Sequence, residues 1–210
     1  MEKKRETSKR THPSKNNYSR KPIKQLEKLD KPERVQKKEK LRIIPLGGLN
    51  EIGKNITVFE YGKDIIILDC GVAFPEDDML GIDLVIPDFT YLIKNRERIR
   101  GLVVTHGHED HIGSIPYLLR EIPEIPIYAT KLTVGLINNK LDEHKLKNST
   151  NINIVKQGQT IVLGKFKVEF IRSCHSIPDS VAMAIHTPVR NYSSYRRFQN
   201  RLYSNRTRNY

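Results

Sequence analysis

Three histidines and two carboxylates fall within the six residues His106-Gly107-His108-Glu109-Asp110-His111. Such density is hard to reconcile with packing, because imidazole nitrogens and carboxylate oxygens are costly to bury unless something binds them. Imidazole suits zinc and related divalent ions. Alternate residues of an extended loop point the same way, so His106 and His108 can share one ion while Asp110 and His111 face another. A histidine pair needs a third nitrogen to fix an ion. His175 is the candidate, since it follows the apolar-alternating run Phe166 to Ser173. Asp69 ends the apolar run Ile65 to Leu68 and is expected to orient the ligand loop from behind by hydrogen bonding. Two ions about 3.5 to 4 Å apart lower the pKa of water and stabilise both oxygens of an in-line displacement, which makes hydrolysis the reaction class. The motif alone leaves phosphodiester, thioester and β-lactam open as substrates.

The remaining candidates carry less chemistry. By strand alternation Cys174 is expected to point away from His175 into the core, and Cys70 is read as core as well. His12, His144 and His186 read as structural or solvated. Gly47-Gly48-Leu49-Asn50-Glu51-Ile52-Gly53 resembles a phosphate-cradling loop only loosely, because it lacks the strand-to-helix setting of a dinucleotide fingerprint.

The elements that must hold these residues are legible from apolar periodicity. Leu41 to Leu46, Asn55 to Tyr61 and Asp64 to Asp69 predict an antiparallel meander, punctuated by Gly47-Gly48 and Gly62-Lys63. A long Pro/Asp/Gly loop runs from Gly71 to Asp88, followed by a helix from Tyr91 to about Ile99. Gly101 to Thr105 predicts a short buried strand running straight into the histidine motif. A helix over Ile112 to Glu121 follows, then a strand at Ile125 to Ala129 and a helix at Leu132 to His144. Ile152 to Val155, Thr160 to Leu163, Lys165 to Arg172 and Ser180 to Thr187 predict further strands. Strands at both ends with helices between them give an α+β sandwich whose sheets are covered by helices.

Charge divides the chain of 210 residues into three parts. Residues 1–40 hold 15 Lys/Arg against 6 Asp/Glu, and residues 189–210 hold 6 Arg and no acid, whereas 41–188 is close to neutral. The overall +13 therefore sits in the two ends. Residues 1–40 lack any sustained apolar period and are read as a disordered basic arm. The arm is either a solubilising tail or a nonspecific RNA contact working through counterion release. Residues 189–210, rich in Arg, Asn, Ser and Tyr, are read as an aberrant basic tail without order. Two cysteines give no disulfide framework and fit a reducing cytoplasm. No apolar run approaches the roughly 20 residues of a membrane-spanning helix, so a membrane is not expected as a partner.

The phrases around the motif narrow the reading. Leu46 to Asn55, Phe74-Pro75-Glu76-Asp77, Gly81-Ile82-Asp83, Ile86-Pro87-Asp88, Ile115-Pro116-Tyr117-Leu118-Leu119 and His175 to Ser180 resemble the ribonuclease J family of the metallo-β-lactamase superfamily, β-CASP branch. The resemblance runs from about Leu41 to Pro188. It implies a metallo-β-lactamase-like αββα sandwich and a zinc-dependent ribonuclease, both 5′-to-3′ exonuclease and endonuclease, acting in rRNA processing and RNA decay. It also implies two Zn2+ ions, with Mn2+ or Mg2+ as alternatives, and homo-oligomers among longer relatives. On this resemblance His106, His108 and His175 hold the first ion. Asp110 and His111 hold the second and form the candidate catalytic pair, and Asp69 matches the family's first motif. Ser114 stands where glycine is expected, with no evident consequence for the metals.

After Pro188 the resemblance stops. Family members continue into a Thr-Gly-Asp segment whose aspartate bridges the ions, and then into an RNA-gripping domain. No carboxylate follows Asp179 here. The expectation is an incomplete sandwich, truncated and altered in its last residues by a shifted reading frame or a damaged terminus, with impaired catalysis, exposed apolar faces and a tendency to self-associate. The alternatives are a noncatalytic RNA- or partner-binding fragment and another hydrolase of the same fold.

Overall fold

The computed structural model describes residues 39–189 and 191–194. The arm expected over 1–40 lies almost wholly outside these residues, as does most of the tail expected from 189.

Two sheets form the body. The first has the strand order β1 (Leu41–Gly47), β2 (Ile56–Tyr61), β3 (Asp64–Leu68), β4 (Ile99–Val103), β5 (Ile127–Ala129) and β6 (Ile152–Ile154). Its first three strands make the antiparallel meander, closed between β2 and β3 by Gly62, whose φ of 61° is the left-handed conformation that a two-residue hairpin requires. From β3 onward the pairing is parallel. The second sheet is antiparallel in the order β10 (Asn191–Ser194), β9 (Val181–His186), β8 (Phe166–Arg172), β7 (Thr160–Leu163). Strand β10 lies inside the stretch read as a tail and pairs along β9.

The period of two along β3 explains the layering. Ile65 and Ile67 point into a cluster shared with the helices, while Ile66 and Leu68 point into a cluster shared with Phe166, Val168 and Phe170 of β8. All five β3 residues are buried, as expected of a strand covered on both faces. The helix-side cluster is completed by Leu92 of α1 (Thr90–Lys94), Ile112 of α2 (Glu109–Ile112), Leu118 and Leu119 of α3 (Ile115–Glu121), and Ile137 and Leu141 of α4 (Lys131–Glu143). Among the described residues helices cover one outer face only, so the observed layers are helix, sheet, sheet. The outer face of the second sheet leaves Val162 71% and Ile171 37% exposed. No described helix is long and apolar enough to cross a membrane.

Two elements differ from the periodicity reading. The helix expected to reach about Ile99 stops at Lys94, because the Asn95 side chain donates to the Tyr91 carbonyl and a 3-10 turn over Arg96–Arg98 follows. Arg98 then turns back to Glu60 and the Gly62 carbonyl, and Ile99 already pairs with Ile65. The helix expected from Ile112 instead begins inside the histidine motif, at Glu109, and restarts at Ile115.

Candidate metal centre

Parallel pairing of β3 with β4, in register at Leu68 and Val103, brings the residues beyond both strands side by side. Crevices outside the carboxyl ends of neighbouring parallel strands are where open α/β sheets bind ligands. Asp69 leaves β3 with φ 59°, left-handed and strained for a non-glycine residue. This turn aims its carboxylate across to β4. It accepts from the Thr105 backbone N–H at 2.8 Å and from the Thr105 hydroxyl, and Oδ2 lies 2.7 Å from His111 Nδ1. A proton on Nδ1 shared with Asp69 turns His111 Nε2 toward Asp110, whose Oδ2 lies 3.3 Å away.

The motif loop is docked on the chain just after β3 by backbone bonds. Cys70 N–H donates to His111 O, Val72 N–H to Glu109 O, and Ser114 N–H to Cys70 O. Gly71 lies at the point of closest approach, where a Cβ would fall 1.6 Å from the Asp110 carbonyl oxygen. Ser114 is fully buried and its hydroxyl donates to Gly71 O at 2.7 Å. Ser114 therefore helps to close this brace. Lys140 of α4 adds an ion pair to Glu109 at 2.8 Å.

His175 arrives from the other sheet. The Ser180 carbonyl accepts from Ser173 N–H, Val181 N–H donates to Thr105 O, and Asp179 accepts through its side chain from Leu132 N–H at the start of α4. These ties bring His175 Nε2 to 3.0 Å from His106 Nε2, which is itself 3.1 Å from His108 Nδ1. A tetrahedral zinc with Zn–N near 2.0–2.1 Å spaces its nitrogens by about 3.3 Å, close to what these rings present. One nitrogen facing two others lacks the protons to bond both well, whereas a cation among them satisfies all three.

Ligand atoms of His106, His108 and His175 lie within 4.8 Å of one another, as do those of His106, Asp110 and His111. His106 thus belongs to both groups, a position that loop alternation did not predict, since α2 begins at Glu109 and turns Asp110 and His111 back toward it. Burial, reinforced by neighbouring His111, lowers the pKa of His106 to about 3. The ring is therefore neutral at physiological pH, with a lone pair open to an ion. The donor set fits divalent metals.

Three residues of this centre carried no assigned role in the sequence reading: Asn55, Thr105 and Gly71. The Asn55 amide reaches Asp110 Oδ2 at 2.8 Å and Asp110 O at 2.9 Å. The Thr105 hydroxyl lies 2.9 Å from His106 Nδ1. Cys70 is buried, but Cys174 is exposed, contrary to the alternation argument, because β8 ends at Arg172 before it could carry Cys174 inward. His144 and His186 lie apart from the centre, against Arg120 and Glu169 respectively. His12 falls outside the described residues.

The chain is 54% identical over 150 residues to ribonuclease J of Synechocystis sp., covering 71% of the chain and 23% of that protein. It is 47% identical over 152 residues to ribonuclease J 1 of Streptococcus pyogenes, covering 72% and 27%, and 46% identical over 154 residues to ribonuclease J of Helicobacter pylori, covering 73% and 22%. The chain thus spans about a quarter of the length of these relatives. Among solved structures, a metallo-beta-lactamase fold protein of Bacillus subtilis superposes with a TM-score of 0.51 at 17% identity, covering 73% of this chain and 60% of the other. A protein of unknown function from Enterococcus faecalis gives 0.55 at 19% identity, covering 73% and 43%. The profile of the metallo-beta-lactamase superfamily matches residues 49–187, from the loop after β1 to the end of β9, and the chain belongs to that superfamily.

Proposed function

We propose that residues 41–188 form the metal-binding part of a ribonuclease J-like RNA phosphodiester hydrolase. The observation that carries this reading is the meeting of His175 with His106 and His108, at 3.0 and 3.1 Å, from loops on different sheets. Sequence similarity to ribonuclease J over 150 residues suggests the substrate class.

In this reading His106, His108 and His175 hold the first ion and Asp110 and His111 the second, with His106 between them and Asp69 orienting His111. Three imidazoles favour Zn2+, with Mn2+ or Mg2+ as alternatives where carboxylate and water dominate. Ions seated there supply Lewis acidity toward a phosphoryl oxygen and a nucleophile from water at neutral pH. The protein's own part is positional. Asp69, Thr105 and the backbone brace hold the rings so that little reorganisation is needed when RNA binds. Ribonuclease J-like 5′-to-3′ exonuclease and endonuclease action in the cytoplasm, with rRNA among the substrates, is the activity we assign.

The second reading is RNA binding without turnover. One observation favours it: residues 1–40 carry 15 Lys/Arg against 6 Asp/Glu, a charge suited to RNA backbone contact that needs no cleavage. The deciding experiment combines metal analysis with a nuclease assay on 5′-monophosphorylated RNA. We expect metal-dependent cleavage, abolished by His108→Ala and by chelation. RNA retained intact by metal-loaded protein would favour the second reading, and cleavage that survives both treatments would overturn the first.

A further inference from the structure

We infer that Asn55 is a positioning residue for the second metal ion, acting by clamping Asp110; the inference rests on the two-ion reading above. Asn55 precedes β2, and 55 residues separate it from the carboxylate it holds. Its placement is forced by the loop before it. Lys54 adopts a left-handed φ of 45°, and a Cβ on Gly47 would come 2.3 Å from the Lys54 carbonyl oxygen, so β1 and this loop pinch together just before Asn55.

Every polar group of Asn55 but one is thereby directed at the metal loop or its brace. The backbone N–H donates to Asp110 O at 3.1 Å, and the backbone carbonyl accepts from Gly71 N–H at 3.1 Å. The side-chain amide donates to Asp110 O and to Asp110 Oδ2, and it lies 3.4 Å from His111 Nε2. The carbonyl and carboxylate of Asp110 both require a donor, which assigns the nitrogen of Asn55 to this side. With Oδ2 tied to an amide, the Asp110 carboxylate is held at one angle beside His111 Nε2, 3.3 Å away. Second-site geometry is therefore set before an ion arrives. Outer hydrogen bonds of this kind are worth about 10- to 100-fold in metal affinity. The first group, His106 with His108 and His175, makes no bond to Asn55 among the described residues.

The test is a calorimetric Zn2+ titration of the 210-residue chain and of Asn55→Leu, which keeps side-chain size and removes the donor. The wild type should bind two equivalents in two steps. The variant should retain the tighter step and lose affinity for the weaker one by about 10- to 100-fold. Equal affinities for both steps in the two proteins would overturn the role of Asn55. A wild type that binds no zinc would instead overturn the metal reading. If Asn55→Leu fails to fold, nuclear magnetic resonance of the unmodified chain decides: the Asn55 side-chain amide signal should move with the second equivalent of Zn2+ and not with the first. A signal indifferent to the second equivalent would refute the clamp.

Discussion

The two loops that supply the candidate ligands are built in opposite ways. His106 and His111 are buried, and their loop is stitched to the chain after β3 by backbone bonds, by Asp69 and by Asn55. His175 is exposed on a short loop held at its base by Ser180 and Asp179. A braced half presents a preset geometry, and a lightly tethered half is able to adjust to the ion or to a substrate. Stability should therefore reside in the first loop, whereas the second should matter for binding and little for folding.

The strongest way to break this comparison is to force the braced loop apart. Gly71→Ala sets a Cβ 1.6 Å from the Asp110 carbonyl oxygen, a backbone contact with no flexible end that can yield. We expect a loss of about 3 kcal/mol or more, read as a lowered urea midpoint. An unchanged midpoint would mean that the brace is soft.

Next in size is Asp69→Asn. Asp69 is 3% exposed and its carboxylate holds Thr105 and His111 together, so its loss should cost about 2 kcal/mol. It should also weaken Zn2+ binding by about 10- to 100-fold. Unaltered zinc affinity would separate Asp69 from the ligands it faces.

In the tethered loop the effects shrink. Asp179→Ala removes the acceptor for Leu132 N–H at the start of α4 and leaves alanine at a left-handed φ of 62°. About 1 kcal/mol is expected, and a thermal midpoint equal to that of the wild type would show that Asp179 does not anchor the loop. The smallest stability change belongs to His175→Ala, within about 0.5 kcal/mol for metal-free protein. Yet this variant should lose most of the thermal stabilisation that Zn2+ confers on the wild type. A large metal-free loss would sharpen the comparison in the wrong direction by making the exposed loop structural.

What could be read in the sequence follows from range. The histidine motif announced itself because its residue types are expensive without a ligand. The apolar runs at Ile65 to Leu68 and Gly101 to Thr105 announced buried strands, so the position of the motif at a strand end was legible. Asn55 and Gly71 were not, because their roles depend on chain segments that meet only when β2, β3 and α2 assemble. Cys174 shows the opposite limit, since alternation was carried past Arg172, where the strand that enforces it ends. His106 belonging to both ligand groups was hidden for a similar reason: helix α2 starts within the motif, where an extended loop was assumed.

Anomalous diffraction at the zinc edge, on crystals of the chain grown with Zn2+, tests the central claim most directly. The account predicts an ion about 2.0–2.1 Å from one ring nitrogen each of His106, His108 and His175. Zinc bound elsewhere, with the His175 ring turned away from the other two, would contradict it.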